Sequence, residues 1–126
     1  MCITDWNVRL RGEEPQIGVV EVKYRGMWGR VIDHPSHEWT KKEANVVCRE
    51  LGYNQGFPAN LNHQITDRIP VWMANVTCTG SEASLQDCSY EGLHGNNWPI
   101  TNQVSVVCVE NTDPQGAIVH KYFHSL

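Results

Sequence analysis

The stretch that most constrains this chain is TKKEANVVCRELG, residues 40–52. Thr40 stands where it would cap a first helical turn, and Glu43, three residues on, is placed to reach back to it in the capping-box pattern. Ala44, Val47, Cys48 and Leu51 recur at offsets of three, four and seven, which puts them on one helical face. Lys41, Lys42, Asn45, Arg49 and Glu50 cover the other sides. Gly52 follows the last apolar position, where a left-handed residue ends a helix. The spacing therefore predicts one amphipathic helix, specified at both ends, that buries Cys48. What Cys48 bonds to decides the fold.

The chain carries five cysteines, at positions 2, 48, 78, 88 and 108. None forms a CxxC pair, and no Cys/His grouping has zinc-finger spacing. Two disulfides with one cysteine left over is the economical account, and it points to an oxidising, extracellular compartment. The sequon Asn75-Val76-Thr77 agrees with that compartment and makes Asn75 a candidate glycosylation position. The 126 residues suffice for one domain with a modest core. A net charge of −4 gives no electrostatic case for nucleic acid or an anionic membrane. No run approaches the roughly 18 apolar residues of a membrane span, so direct insertion is not expected. No basic segment followed by an apolar run opens the chain, so a secreted protein would be represented here by a mature piece or a segment of a larger multidomain protein.

Taken in order, residues 1–7 have no period and read as an N-terminal extension. Residues 8–11 alternate as a short strand, and 12–18, with two glycines, a proline and two glutamates, have loop chemistry. VVEVKY at 19–24 and MWGRVI at 27–32, with Arg25-Gly26 between them, form the strongest hairpin signal. Residues 53–70 show little period and read as a long loop wrapping the core. VWMANVT at 71–77 reads as a strand, 84–88 as a short helix, 91–98 as a loop, and 104–109 as a central strand. Residues 110–126 read as a tail or linker. The whole is a small α+β domain in which loops outweigh regular structure.

The order VRLRG, GVVEVKYRGMWGRVID, WTKKEANVVCRELGY, VWMANVTCTGSEASLQDC and VSVVC, spanning residues 8–109, resembles a scavenger receptor cysteine-rich (SRCR) domain. The resemblance implies a disulfide-stapled, curved antiparallel sheet cradling one main helix, with a short second helix. It also implies the pairing that spacing leaves open, Cys48 with Cys108 and Cys78 with Cys88. The first bridge would close a loop of about 60 residues, worth about 3–4 kcal/mol by chain entropy.

Three departures from the family pattern stand out. The third bridge of six-cysteine members is replaced by Ile32 and Trp98, which are expected to pack together; Cys2 lies outside the pattern. Calcium-binding members use paired acids after the hairpin and further acids before the last cysteine. Here Asp33 remains, but His34-Pro35 follow it and the later positions read Ala74, Thr101, Asn102 and Gln103. Asp33 is thus a residual metal candidate only, and calcium, the one cofactor to consider, is not expected. Ligand-scavenging members carry arginines near the first long strand. This chain offers Lys23, Arg25 and Arg30 there, with Arg9 and Arg11 on the earlier strand. Glu13, Glu14 and Glu21 are near enough in sequence to make a mixed-charge face instead.

No enzyme is legible. His34-x-x-His37-Glu38 contains Pro35 and lacks the one-turn helical spacing of HExxH, and no GxSxG elbow or phosphate loop occurs. His120 and His124 could share a helical face but lack a third ligand. The sequence reads as a non-catalytic extracellular recognition module for a protein or glycan ligand, bound through surface loops. Lys23, Arg25, Arg30, Tyr53 and Phe57 are the candidate contacts, with the aromatics Trp39 and Trp72 behind them. Alternatives are an accessory domain of a secreted serine protease or lysyl-oxidase-like enzyme, and a polyanion-scavenging receptor domain.

Overall fold

In a computed structural model of the chain, residues 6–33, 38–59, 69–91 and 103–110 are described. The elements are β1 (Asn7–Glu14), β2 (Ile17–Tyr24), β3 (Met27–Ile32), α1 (Lys41–Glu50), β4 (Gln55–Ala59), β5 (Val71–Thr77), a 3-10 turn (Leu85–Asp87), β6 (Ser89–Glu91) and β7 (Ser105–Val109).

Helix α1 forms as its ends dictate. Thr40 is the N-cap, its hydroxyl accepting from the Lys42 amide, and the Glu43 carboxylate accepts from the Thr40 backbone N–H at 2.7 Å, closing the capping box. Gly52, at φ +98, takes the left-handed conformation that ends the helix. Ala44, Val46, Val47 and Cys48 are fully buried beneath it.

The strands make one seven-stranded sheet in the order β4-β7-β2-β3-β5-β6, with β1 paired to β2. The β2–β3 hairpin turns at Arg25 and Gly26, both with positive φ, as a two-residue turn matching strand twist requires. Strand β7 lies between β4 and β2, so the last valine-rich run is an interior strand. β3 and β5 are parallel, which makes the sheet mixed rather than antiparallel throughout; the connection between them is long enough to contain α1 and β4.

Four segments differ from the sequence expectation. Residues 12–18 are not a loop, since β1 runs to Glu14 and β2 starts at Ile17, leaving only Pro15-Gln16 to turn. The two glycines serve close backbone approach: a Cβ on Gly18 would overlap the Arg11 backbone, and one on Gly12 the Ile17 carbonyl. The register shift between Arg11 and Glu14 absorbs the irregularity. Part of the 53–70 segment is strand β4, which pairs with β7 and tolerates Pro58 because it lies at the edge of the sheet. β6 is a short strand just after the second disulfide. The 1–7 segment also contributes, since Trp6 packs on the core and Asn7 opens β1. Cys2, Trp98 and residues 111–126 lie outside the described residues, so the expected Ile32–Trp98 contact does too; Ile32 itself is buried with Val71 and Ala74.

The main core lies between α1 and one face of the sheet, and two bridges close it. Cys48 bonds Cys108, tying α1 to β7, and Cys78 bonds Cys88 across ten residues. These are the pairs that the resemblance implies. Two carboxylates add further ties at the ends of α1. Glu43, buried, also accepts from the Cys78 backbone N–H at 2.9 Å. Glu50 accepts from the Trp6 indole at 2.8 Å, the Ser84 hydroxyl at 3.1 Å and the Leu85 N–H at 3.0 Å, so it faces the 3-10 turn rather than open solvent. Glu82 accepts from the Thr79 and Gly80 N–H groups, and these donors hold its carboxyl below the usual range.

Two stability predictions follow from this frame. Loss of the long bridge in Cys48→Ala/Cys108→Ala should cost about 1.5 kcal/mol more than loss of the short one in Cys78→Ala/Cys88→Ala, from the difference in loop length alone. Equal unfolding free energies for the two double variants would refute it. Gly56 sits against the bridge: a Cβ there would overlap the Cys48 sulfur and lie 2.7 Å from the Ala44 carbonyl oxygen. Gly56→Ala should therefore lose about 2–3 kcal/mol, roughly 10 °C in Tm. A melting temperature within 2 °C or so of the parent would show that β4 is not seated this closely on the helix.

Candidate recognition surface

The face of the sheet turned away from α1 carries a charge cluster built by strand register. Arg9 stands opposite Glu21, and Glu21 stands opposite Arg30. Strand periodicity puts these residues, with Arg11, Lys23 and Trp28, on the side opposite Val8, Val20, Val22 and Val31 of the core. Glu21 is fully buried at the centre. It accepts from Arg9 Nε at 3.0 Å and Nη2 at 2.7 Å, and from Arg11 Nη1 at 3.3 Å; Arg30 Nη1 lies 3.9 Å away. The Arg9 guanidinium also lies 4.1 Å from the centre of the Trp28 ring. One carboxylate thus accepts from two guanidiniums and has a third within ion-pair reach. The Arg9 and Arg11 side chains keep 40% and 31% of their surface exposed, so both form the rim of the cluster.

At the hairpin tip beside this cluster, Arg25 is exposed and its guanidinium lies 5.4 Å from the centre of the Tyr24 ring. Tyr24 meets Trp72 edge-on, with centroids 5.7 Å apart, and Trp72 Nε1 donates to the Met27 carbonyl at 2.9 Å. Gly29 makes room for that indole, since a Cβ there would overlap it. Met27, 53% exposed, completes a tip that is aromatic, apolar and cationic.

The residues proposed from sequence do not form one site. Lys23 and Arg25 belong to this surface. Arg30 must be removed from the candidate contacts because its side chain is fully buried against Glu21; a basic residue in a strand is no guide to exposure when a neighbouring strand supplies a buried acid. Tyr53 is half-buried against the main core, and its N–H donates to the Cys48 carbonyl. Phe57 is on edge strand β4, packed with Ile17, Val107 and Val109 under the Lys41 ammonium, which is 4.5 Å from its ring centre. Burial, and secondarily the charge of Arg49, lowers the pKa of Lys41. β7 and β2 separate Phe57 from β3 in the strand order. Trp39 is a core residue at 7% exposure. The linear reading sets Glu21 near the arginines as part of a mixed-charge face, but not buried among them, and does not single out Trp28 as the platform for Arg9. The signal for them is the alternation of VRLR against VVEVK, whose antiparallel pairing sets the acid among the arginines.

Asp33 is buried at the end of β3, and Gln103 forms an isolated bridge with its neighbour Ile32; Thr101 and Asn102 lie outside the described residues. Cys78, Glu82 and Cys88 bring three potential ligand atoms within 4.8 Å of one another, but both sulfurs are spent in their mutual disulfide. Among the described residues, no helix is long and apolar enough to cross a membrane.

A family model described as the scavenger receptor cysteine-rich domain matches residues 10–109. Lysyl oxidase homolog 2 of Bos taurus is 40% identical over 111 residues, covering 85% of this chain but 14% of its own length. Among solved structures, the third SRCR domain of murine neurotrypsin superposes with a TM-score of 0.63 at 33% identity, over 82% of this chain and 95% of that one. The SRCR domain of mouse MARCO, in a dimeric form, gives 0.61 at 31% identity, over 80% and 93%. With the helix, the curled sheet and both bridges in place, the chain belongs to the scavenger receptor cysteine-rich domain family.

Proposed function

We propose that this chain is a non-catalytic extracellular recognition module within a larger secreted or membrane-attached protein, and that it binds anionic groups of a protein or glycan on its β1–β2–β3 face. The observation that carries the proposal is the gathering of three guanidiniums on one buried carboxylate, beside Lys23 and Arg25, in a chain whose overall charge is negative. Partly exposed guanidiniums held in place by a buried acid lose little freedom on binding, which favours them as contacts. Support for the extracellular setting comes from two disulfides, which persist in oxidising compartments. Tyr53 and Phe57 are secondary contacts in this reading, since both pack against core clusters, and residues 60–68 lie outside the described residues.

The likeness to lysyl oxidase homolog 2 favours a second, compatible reading, an accessory domain beside a catalytic one of lysyl-oxidase type. The module would then position or restrain that neighbour, and its span of 14% of that relative leaves ample chain for one.

The test is retention on immobilised heparin and on its desulfated form at low and physiological salt. Retention by the sulfated polymer alone, falling as salt shortens the Debye length to about 8 Å, is expected. Lys23→Ala/Arg25→Ala should weaken it about 10-fold, a loss of about 1.4 kcal/mol, while Lys41→Ala/Lys42→Ala on the helix should leave it within 2-fold or so. Absence of retention at low salt, or equal loss with the helix variants, would remove the anionic ligand from this face.

A further inference from the structure

We infer that Asn75 carries an N-linked glycan and that the backbone of β5 is bent in a way that presents it. The inference rests on the extracellular reading above. Met73 is in the main core, and strict alternation along β5 would carry Asn75 in after it. Asn75 instead adopts φ +55, the pairing with β6 shifts register between Ala74 and Thr77, and fully buried Val76 takes the core position. One left-handed residue therefore turns a polar side chain out of the core and leaves it half-exposed. Asparagine is among the few residues that accept this conformation readily. Thr77, two residues on, is exposed, so both recognition groups of the Asn-x-Thr sequon face outward while the middle residue anchors the strand.

The amide is also well placed to keep its contacts once modified. Asn75 Nδ2 donates to Glu91 Oε2 at 2.6 Å across to β6. In the secretory pathway Nδ2 attacks the anomeric carbon of an oligosaccharide carried on a lipid diphosphate. The N–C bond forms, the C–O bond to diphosphate breaks, the lipid diphosphate leaves with the bonding pair, and one amide proton passes to a base of the transferase. The second amide N–H remains, so the sugar and the bond to Glu91 are compatible. β6 is three residues long, ends the strand order, and pairs with β5 alone among the described residues. A glycan on Asn75 stands beside that edge and screens it from addition of another strand.

The test is peptide mapping of the full-length protein secreted by eukaryotic cells, with N-glycans released by an amidase in heavy-oxygen water. Asn75 should be recovered as labelled aspartate; Thr77→Ala should abolish the label and Thr77→Ser should retain it. Secreted, disulfide-bonded protein with unlabelled Asn75 would overturn the inference and leave the extracellular reading standing. Protein held in the cytosol with reduced cysteines would overturn both. Amidase treatment leaves an aspartate facing Glu91, whereas an endoglycosidase leaves the amide with one sugar. The amidase product should melt at the lower temperature, and equal melting would refute the placing of the modified amide against Glu91.

Discussion

The bond between Cys48 and Cys108 joins the last turn of the helix to an interior strand, and the surrounding backbone is shaped to let it form. Gly56 on β4 pairs with Cys108, and its missing side chain is the space the Cys48 sulfur occupies. Asn45, half-buried three residues before Cys48 on the helix, takes the Gly56 N–H at 2.9 Å, so the strand is held down at its point of closest approach. The Tyr53 N–H returns to the Cys48 carbonyl, fixing the path out of the helix. Glu43 and Glu50 then tie the two ends of α1 to the backbone at Cys78 and Leu85. A ten-residue helix would be marginal alone. Here it is held in its last turn by a covalent bond and at both ends by carboxylates, so it has one orientation on the sheet.

Glu21 has a comparable role on the opposite face, by different physics. A buried carboxylate is stable only if its charge is matched, and Arg30, fully buried, cannot be matched by water either. Removing Glu21 would take a buried carboxylate from three guanidiniums at once, whereas removing Arg30 would leave Glu21 its hydrogen bonds from Arg9 and Arg11. Arg9 and Arg11 close over the acid from the edge strand β1 and keep the remainder of their surface in water. The Trp28 ring beneath Arg9 adds a cation–π contact. The cluster is therefore structural at its base and available at its rim.

What the sequence made legible was what is local. The capping box, the glycine after the helix and the two-residue hairpin turn each depend on a few neighbouring residues, and each formed as its chemistry requires. What escaped depends on distant partners. Gly12 and Gly18 read as loop residues, yet they are strand positions where two backbones nearly touch. Residues 55–59 lack a strand's period, yet they form edge strand β4 against β7, where Pro58 is tolerated. The aromatic candidates divided for the same reason: Trp39 and Phe57 found cores, which no linear pattern foretells. Arg30 looked like a surface cation until its register partner proved to be the buried Glu21. The disulfide pairing was legible through family resemblance alone, since four cysteines allow three connectivities.

Strand β2 shows how one segment serves scaffold and surface together. Val20 and Val22 point into the core, while Glu21 and Lys23 point to the other face. Alternation lets the second set change without repacking the first, so Lys23 and the exposed hairpin residue Arg25 are open to substitution as ligands differ. Glu21 is the exception, because it is fully buried and yet sets the geometry of the exposed arginines. Changing it would alter the binding face and unbalance Arg30 in the same step. On the proposed function, the rim is thus where specificity can drift at little cost, and the acid beneath it is the point at which recognition and stability become inseparable.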